Sequence, residues 1–191
     1  MTARIAWTYQ DYAALADDGQ RYEIHDGELC TMPAPTSLHQ IVLGELFSAL
    51  RAHVTARRLG LVMVAPLDVL LSDRPSETTI LQPDLVYLDN AGLDAVHMRG
   101  VEGPPTLAVE ILSPSTAATD RGRKRELYAR YGVPYLWLVD SDAHALEAHA
   151  LGSGEYRLAG LASGTEPVDL PPFIGLGLVP SSLWPQLPIR P

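Results

Sequence analysis

Apolar and polar positions along the chain change their period several times, and each change marks an element. Thr8 followed by Asp11, Tyr12, Leu15 and Ala16 predicts a short capped helix that Gly19 ends. Two short strand-like runs, 22–25 and 28–32, flank Asp26-Gly27, a strong hairpin signal. Pro33 and Pro35 close that hairpin, and Thr36 or Ser37 can cap a helix beginning just after them. Leu38, Ile41, Val42, Leu46, Ala49, Leu50 and Val54 then recur at helical spacing and predict the best-defined helix, over 38–59. Residues 61–65 and 67–71 are strand candidates broken by Pro66, and a third runs over 80–88. The glycine- and proline-containing stretch 89–105 reads as a loop with one helical turn. A buried-type strand at 106–112 and a Ser-Pro-Ser-Thr turn lead into a polar helix over 117–131 that Gly132 terminates. A further apolar strand at 135–140 precedes a closing hairpin, 144–150 with 155–160. The succession predicts an α/β fold.

At 191 residues the chain suits one domain, drawn at 1–160, with a Pro-rich tail over 161–191. That tail is expected to be irregular and laid on the domain or on a neighbouring subunit, which would suit a homodimer. A 47% apolar and 19% charged composition excludes disorder driven by charge. No apolar run reaches the roughly 18–20 residues of a membrane span, and the N-terminus lacks the regions of a signal peptide. The single cysteine, Cys30, leaves no intramolecular disulfide and suits the cytoplasm. The formal charge, 14 − 23 = −9, argues against a general nucleic-acid binder.

Candidate chemistry sits where the pattern is violated. Asp84 lies in Leu81-Gln82-Pro83-Asp84-Leu85-Val86-Tyr87, and Glu110 in Leu107-Ala108-Val109-Glu110-Ile111-Leu112. An ionised carboxylate in an apolar strand costs several kcal/mol unless a cation or a set of donors compensates it. Two of them on strands that can be neighbours make a divalent-cation site plausible. On the next helix, Asp120, Lys124, Leu127, Tyr128 and Tyr131 share a face, so Lys124 falls on the stripe that should pack inward. Each feature also has an ordinary structural account: a strand-end aspartate, a structural salt bridge for Glu110, and a lysine snorkelling to solvent. Their joint occurrence favours a site.

Glu110-Ile111-Leu112-Ser113-Pro114-Ser115-Thr116, Asp120, Lys124, Tyr128, Gly132-Val133-Pro134 and Trp137-Leu138-Val139-Asp140 together resemble the signature of the bacterial Uma-type restriction-endonuclease-like family, within the PD-(D/E)xK nuclease superfamily. Arg21-Tyr22-Glu23, Asp26-Gly27-Glu28-Leu29, the Pro-Ala-Pro turn before His39, and Gln82-Pro83-Asp84 match its other blocks over roughly 20–150. The resemblance implies a restriction-endonuclease-like fold, a mixed sheet flanked by helices, and a Mg²⁺- (or Mn²⁺-) dependent phosphodiesterase centre. It makes Asp84 and Glu110 metal ligands. The usual lysine two residues after the glutamate is replaced by Leu112, and Lys124 is its natural substitute. His39 or Glu45 could complete the centre, although a helix-start or core hydrogen bond accounts equally well for His39. Gln82, Ser113 and Asp120 are supporting candidates.

The expected activity is hydrolysis of a nucleic-acid phosphodiester, with DNA the first candidate substrate. The alternative is a catalytically inactive nuclease fold used for binding or assembly. Hydrolysis through Ser113 or Cys30 is disfavoured, because neither sits in a nucleophile-elbow motif. His97, His144 and His149 lack metal-ligand spacing and read as surface residues. The negative charge is uneven. Arg121, Arg123, Lys124, Arg125 and Arg130 against Glu126 make a local +4, leaving 9 basic and 22 acidic residues elsewhere. A solvated helix face is the plain account of that cluster; a phosphate contact through Arg121, Arg123 and Arg125 is the functional one.

Overall fold

The computed structural model describes residues 6–185. A first short helix, α1 (Tyr9–Ala13), is capped at Thr8 as its sequence predicts, through a Thr8–Asp11 capping box, but stops short of Leu15 and Ala16. Next comes the hairpin β1 (Arg21–His25) and β2 (Glu28–Met32). Asp26 and Gly27 both adopt positive φ, 52° and 75°, as a tight right-twisted hairpin turn requires. The long helix α2 (Ser37–Arg57) starts at Thr36, whose hydroxyl accepts from the His39 amide, and ends at Arg58 in the left-handed region. Its inward stripe buries Val42, Leu43, Leu46, Leu50 and Val54, each worth about 1.5–3 kcal/mol relative to exposure.

The remaining strands are β3 (Gly60–Val64), β4 (Asp68–Ser72), β5 (Thr79–Leu81), β6 (Leu85–Asp89), β7 (Val96–His97), β8 (Gly100–Glu102), β9 (Leu107–Leu112), β10 (Tyr135–Asp140), β11 (Ala145–Gly152) and β12 (Glu155–Ser163). With the first hairpin they form two six-stranded sheets rather than one. The first has order β2-β1-β5-β4-β8-β7 and the second β12-β11-β10-β9-β6-β3. Both are mixed, with β4–β8 and β9–β10 parallel. The apolar run 80–88 is therefore not one strand. Residues 82–84 cross from the first sheet to the second, where Pro83 supplies no amide for a ladder. Residues 65–67 make the opposite crossing, with the Ala65 amide bonded to the Asp84 carbonyl at 3.0 Å. The stretch expected to be a loop at 89–105 also folds a small β7–β8 hairpin.

Alternation along β9 splits the second sheet's two faces. Leu107, Val109 and Ile111 join α2 in the main core, while Ala108 and Leu112 join Leu127, Tyr128, Leu136 and Leu138 in a second one. Glu110 shares the parity of that second face. The helix expected over 117–131 is present as α3 (Ala117–Thr119), a π-helical segment Asp120–Lys124, and α4 (Arg125–Arg130).

The boundary drawn at residue 160 falls inside β12. Beyond β12 the chain is irregular, yet Leu170, Phe173, Leu178, Leu183 and Trp184 are buried in the main core. Phe173 packs against Tyr87, Trp137 and His53, and Trp137 Nε1 donates to the Pro171 carbonyl at 2.7 Å. The segment completes the covering of one sheet face. Pro188 and Pro191 of the predicted tail lie outside the described residues.

Candidate active site

Asp84, Glu110 and Lys124 line one cleft, together with Arg21, His39, Gln82, Ser113 and Asp120. The pairing of β6 with β9 sets Leu85 opposite Val109, so the next step along the antiparallel ladder brings Asp84 beside Glu110. Asp84 Oδ2 accepts from the Ile111 amide at 2.7 Å and from His39 Nε2 at 3.0 Å. His39 thus reaches the centre from the first turn of α2. Space in the cleft is about 50 Å³, the scale of an ion or a few waters.

Lys124 is 1% exposed, and its Nζ lies 2.7 Å from Glu110 Oε1, 3.0 Å from Glu23 Oε1 and 3.8 Å from Asp120 Oδ1. The Tyr128 hydroxyl donates to the same Glu110 oxygen at 2.5 Å. Burial opposes the charged ammonium, but Glu110, Glu23 and Asp120 outweigh it and hold Lys124 well above the usual lysine pKa. The group is a fixed cation rather than a base.

The two carboxylates on Lys124 differ. Burial works against an ionised Glu23, yet Lys124, His25 Nε2 at 2.8 Å and the Gln82 amide at 2.7 Å together lower its pKa to about 2. Glu110 goes the other way. Burial pushes it well above the glutamate range, Asp120, Asp84 and Glu23 push it further, and Lys124 only partly offsets them. Asp120 is likewise raised by burial, and its Oδ1 has no hydrogen-bond partner among the described residues.

Buried carboxyl groups here outnumber the one ammonium of Lys124, and Asp84, just before β6, and Glu110, on the neighbouring β9, are hard oxygen donors. That donor set fits a divalent cation that completes its shell with water and phosphate oxygens. Among the described residues no group of three or more His, Cys, Asp or Glu side chains is arranged to hold a metal ion, so the protein would offer two carboxylates and leave the remaining positions to water and substrate.

Sequence reasoning missed Glu23 as a site residue. Its strand carries it to the centre only because Ile24 pairs with Ile80 across the sheet, a contact that local pattern does not reveal. The structure buries both Glu23 and His25, polar residues of one strand. Glu45 is exposed, about 120° around α2 from His39, and does not line the cleft.

The arginine cluster lies outside the cleft as well. Arg121 bridges Asp140 and Glu147, Arg123 binds Glu28 and the His25 carbonyl, and Arg125 binds the Tyr156 carbonyl. These guanidinium groups tie the helix to strands of both sheets. Ser113 Oγ exchanges hydrogen bonds with the hydroxyls of Ser115 and Thr116, each at 3.0 Å. Cys30 is half-buried on β2, away from the cleft lining. Of the histidines read as surface residues, His97 and His144 are exposed, but His149 is buried, with Nε2 3.1 Å from Glu147. Its burial follows from facing Tyr156 across the β11–β12 hairpin.

Comparison with known proteins agrees with this architecture. Over residues 9–184 the sequence matches the family described as "Uma2: Putative restriction endonuclease". The match takes in most of the tail, which lies beyond the motif blocks of residues 20–150. No protein of curated function matches the chain. A crystal structure titled as a putative nuclease belonging to DUF820, from Anabaena variabilis ATCC 29413, shares the fold with a TM-score of 0.70 at 18% identity, covering 92% of this chain and 96% of that one. With a match that runs through nearly every described element, the chain belongs to the Uma2 family.

Proposed function

We propose that the protein is a metal-dependent nuclease that hydrolyses a nucleic-acid phosphodiester, with DNA as the first substrate to test. One observation carries this reading. Asp84, Glu110 and Lys124, from a sheet crossover, a strand and a π-helical turn, meet in one cleft with more buried carboxyl groups than Lys124 can pair. Asp84 and Glu110 would hold Mg²⁺ or Mn²⁺. Such a cation supplies acidification of water and neutralisation of charge on the phosphate.

The protein's own residues do the rest. His39 and the Ile111 amide fix Asp84, leaving its other oxygen for a ligand. Lys124 and Tyr128 both engage Glu110 Oε1, so Oε2 is the oxygen that would take a ligand. Lys124, held charged between Glu23 and Glu110, contributes a positive field behind the carboxylates rather than a direct contact to the phosphate. Gln82 and Asp120 position Glu23 and Lys124.

Complete burial of Lys124 between two carboxylates favours one second reading, a nuclease fold retained for binding. The test is Mn²⁺- and Mg²⁺-dependent cleavage of plasmid and oligonucleotide substrates. Wild-type cleavage, abolished in Asp84→Asn and Glu110→Gln, supports the nuclease. Binding without cleavage, unaltered by either substitution, supports the module.

A further inference from the structure

The cleft has walls of two kinds. Its interior is acidic, built from Asp84, Glu110 and Asp120 around an enclosed Lys124. Arg21 on β1 and the hydroxyl residues Ser113, Ser115 and Thr116 after β9 also line it. Arg21 is half-buried and is the one arginine in the cleft lining among the described residues.

The way Arg21 is held sets it apart from the other arginines. Its Nε donates to Gln82 Oε1 at 3.0 Å. Gln82 is itself fixed, since Nε2 donates to Asp68 Oδ1 at 2.8 Å and to the Tyr12 hydroxyl at 3.3 Å. Tyr12 also donates to Asp68 at 2.8 Å. Residues from α1, β4 and the 82–84 crossover therefore aim one amide oxygen at the Arg21 guanidinium. Arg121, Arg123 and Arg130, by contrast, spend their terminal nitrogens on carboxylates and a carbonyl.

A guanidinium held through Nε keeps both terminal nitrogens for a ligand, in a planar fork that matches a phosphate's oxygens. The cleft's space of about 50 Å³ is on the scale of an ion with a few oxygen ligands. Lys124 is already committed to Glu110 and Glu23. We propose that Arg21, positioned by the Gln82–Asp68–Tyr12 relay, is the phosphate-recognition residue of the cleft and grips the phosphodiester of the bound strand. This rests on the nuclease reading and adds to it a specific contact for the backbone rather than for a base.

The test compares wild type with Arg21→Lys and Arg21→Gln. It reads the KM and kcat of Mn²⁺-dependent cleavage of a labelled oligonucleotide, the salt dependence of KM, the thermal midpoint, and NMR-detected binding of the dinucleotide d(TpT). Arg21→Gln should raise KM about tenfold or more, the scale of one charge-assisted contact. The salt slope should flatten by about one phosphate contact. Its thermal midpoint and kcat should change little, and Arg21→Lys should recover part of the loss. Cleavage with KM and salt slope unaffected in Arg21→Gln overturns the inference and leaves the nuclease reading standing. Absence of wild-type cleavage, with d(TpT) binding that still depends on Arg21, overturns the nuclease reading and keeps the phosphate site. Absence of both cleavage and d(TpT) binding overturns the two together.

Discussion

Lys124 and Arg123 are chain neighbours on one π-helical turn, and the structure uses their charges in opposite ways. Lys124 is withdrawn from water and surrounded by Glu23, Glu110 and Asp120. Arg123, 43% exposed at the side chain, reaches Glu28 and the His25 carbonyl on the first sheet. Arg121, one turn-face away, reaches Asp140 and Glu147 on the second. The outer arginines brace the helix against both sheets, and the inner lysine is thereby held at the seam where the chain crosses between them. A basic cluster in sequence is thus two things in space, a set of clamps and a buried charge in an acidic centre.

The contrast predicts unequal costs. Lys124→Ala leaves Glu23 and Glu110 uncompensated in the interior and should destabilise by about 3–5 kcal/mol, read by urea unfolding. The double replacement Glu23→Gln with Lys124→Met should cost less than Lys124→Ala alone, because the stranded charge goes with its partner. If the single and double variants unfold alike, the buried pair is not what holds the seam.

Next in size is Glu110→Gln. It removes a carboxylate that burial and three neighbouring acids keep from ionising easily. Stability should hold or rise, while cleavage should fall by about 100-fold or more, the range for losing one preorganised electrostatic group.

Charge also sets the pH response, and the signs differ within the site. Glu110 and Asp120 have raised pKa values in the folded state, so the native protein binds more protons there than the unfolded chain. Stability without divalent cation should fall as pH rises above the ordinary carboxylate range. Added Mn²⁺ should raise the thermal midpoint more at pH 8 than at pH 5.5, since binding displaces those protons. Glu23, lowered to about 2, contributes stability that is present above roughly pH 4.5 and lost as pH falls toward 2.

The clamps should matter least. Arg123→Ala or Arg121→Ala should cost about 1 kcal/mol or less, as exposed ion pairs do. Neither should alter the salt dependence of nucleic-acid binding, whereas Arg21→Gln should. A flattened slope in Arg121→Ala or Arg123→Ala would return these side chains to the nucleic-acid surface.

Much of the fold is legible in the sequence. Helical spacing from Leu38 onward locates α2, and Asp26-Gly27 locates the first hairpin, because both signals are local. Asp84, Glu110 and Lys124 stand out as polar residues in apolar patterns, and burial bears out the oddity of each. The division into two sheets is not legible, since residues 80–88 are continuously apolar apart from 82–84 and only the crossover shows that they serve different sheets. Glu23 escapes for the same reason, because a strand pairing brings it to Lys124 from far away in sequence. Phe173 and Trp184 carry no period to trace. Their burial comes from a segment without regular structure that lies against the core.

The central claim is that Asp84 and Glu110 jointly form a cation site beside Lys124. Calorimetric titration of Mn²⁺ into wild type, Asp84→Asn and Glu110→Gln tests it most directly. The account predicts saturable binding by wild type that either substitution weakens at least about tenfold, with the fold retained. Absence of binding in the wild type, or binding that neither substitution disturbs, would contradict it.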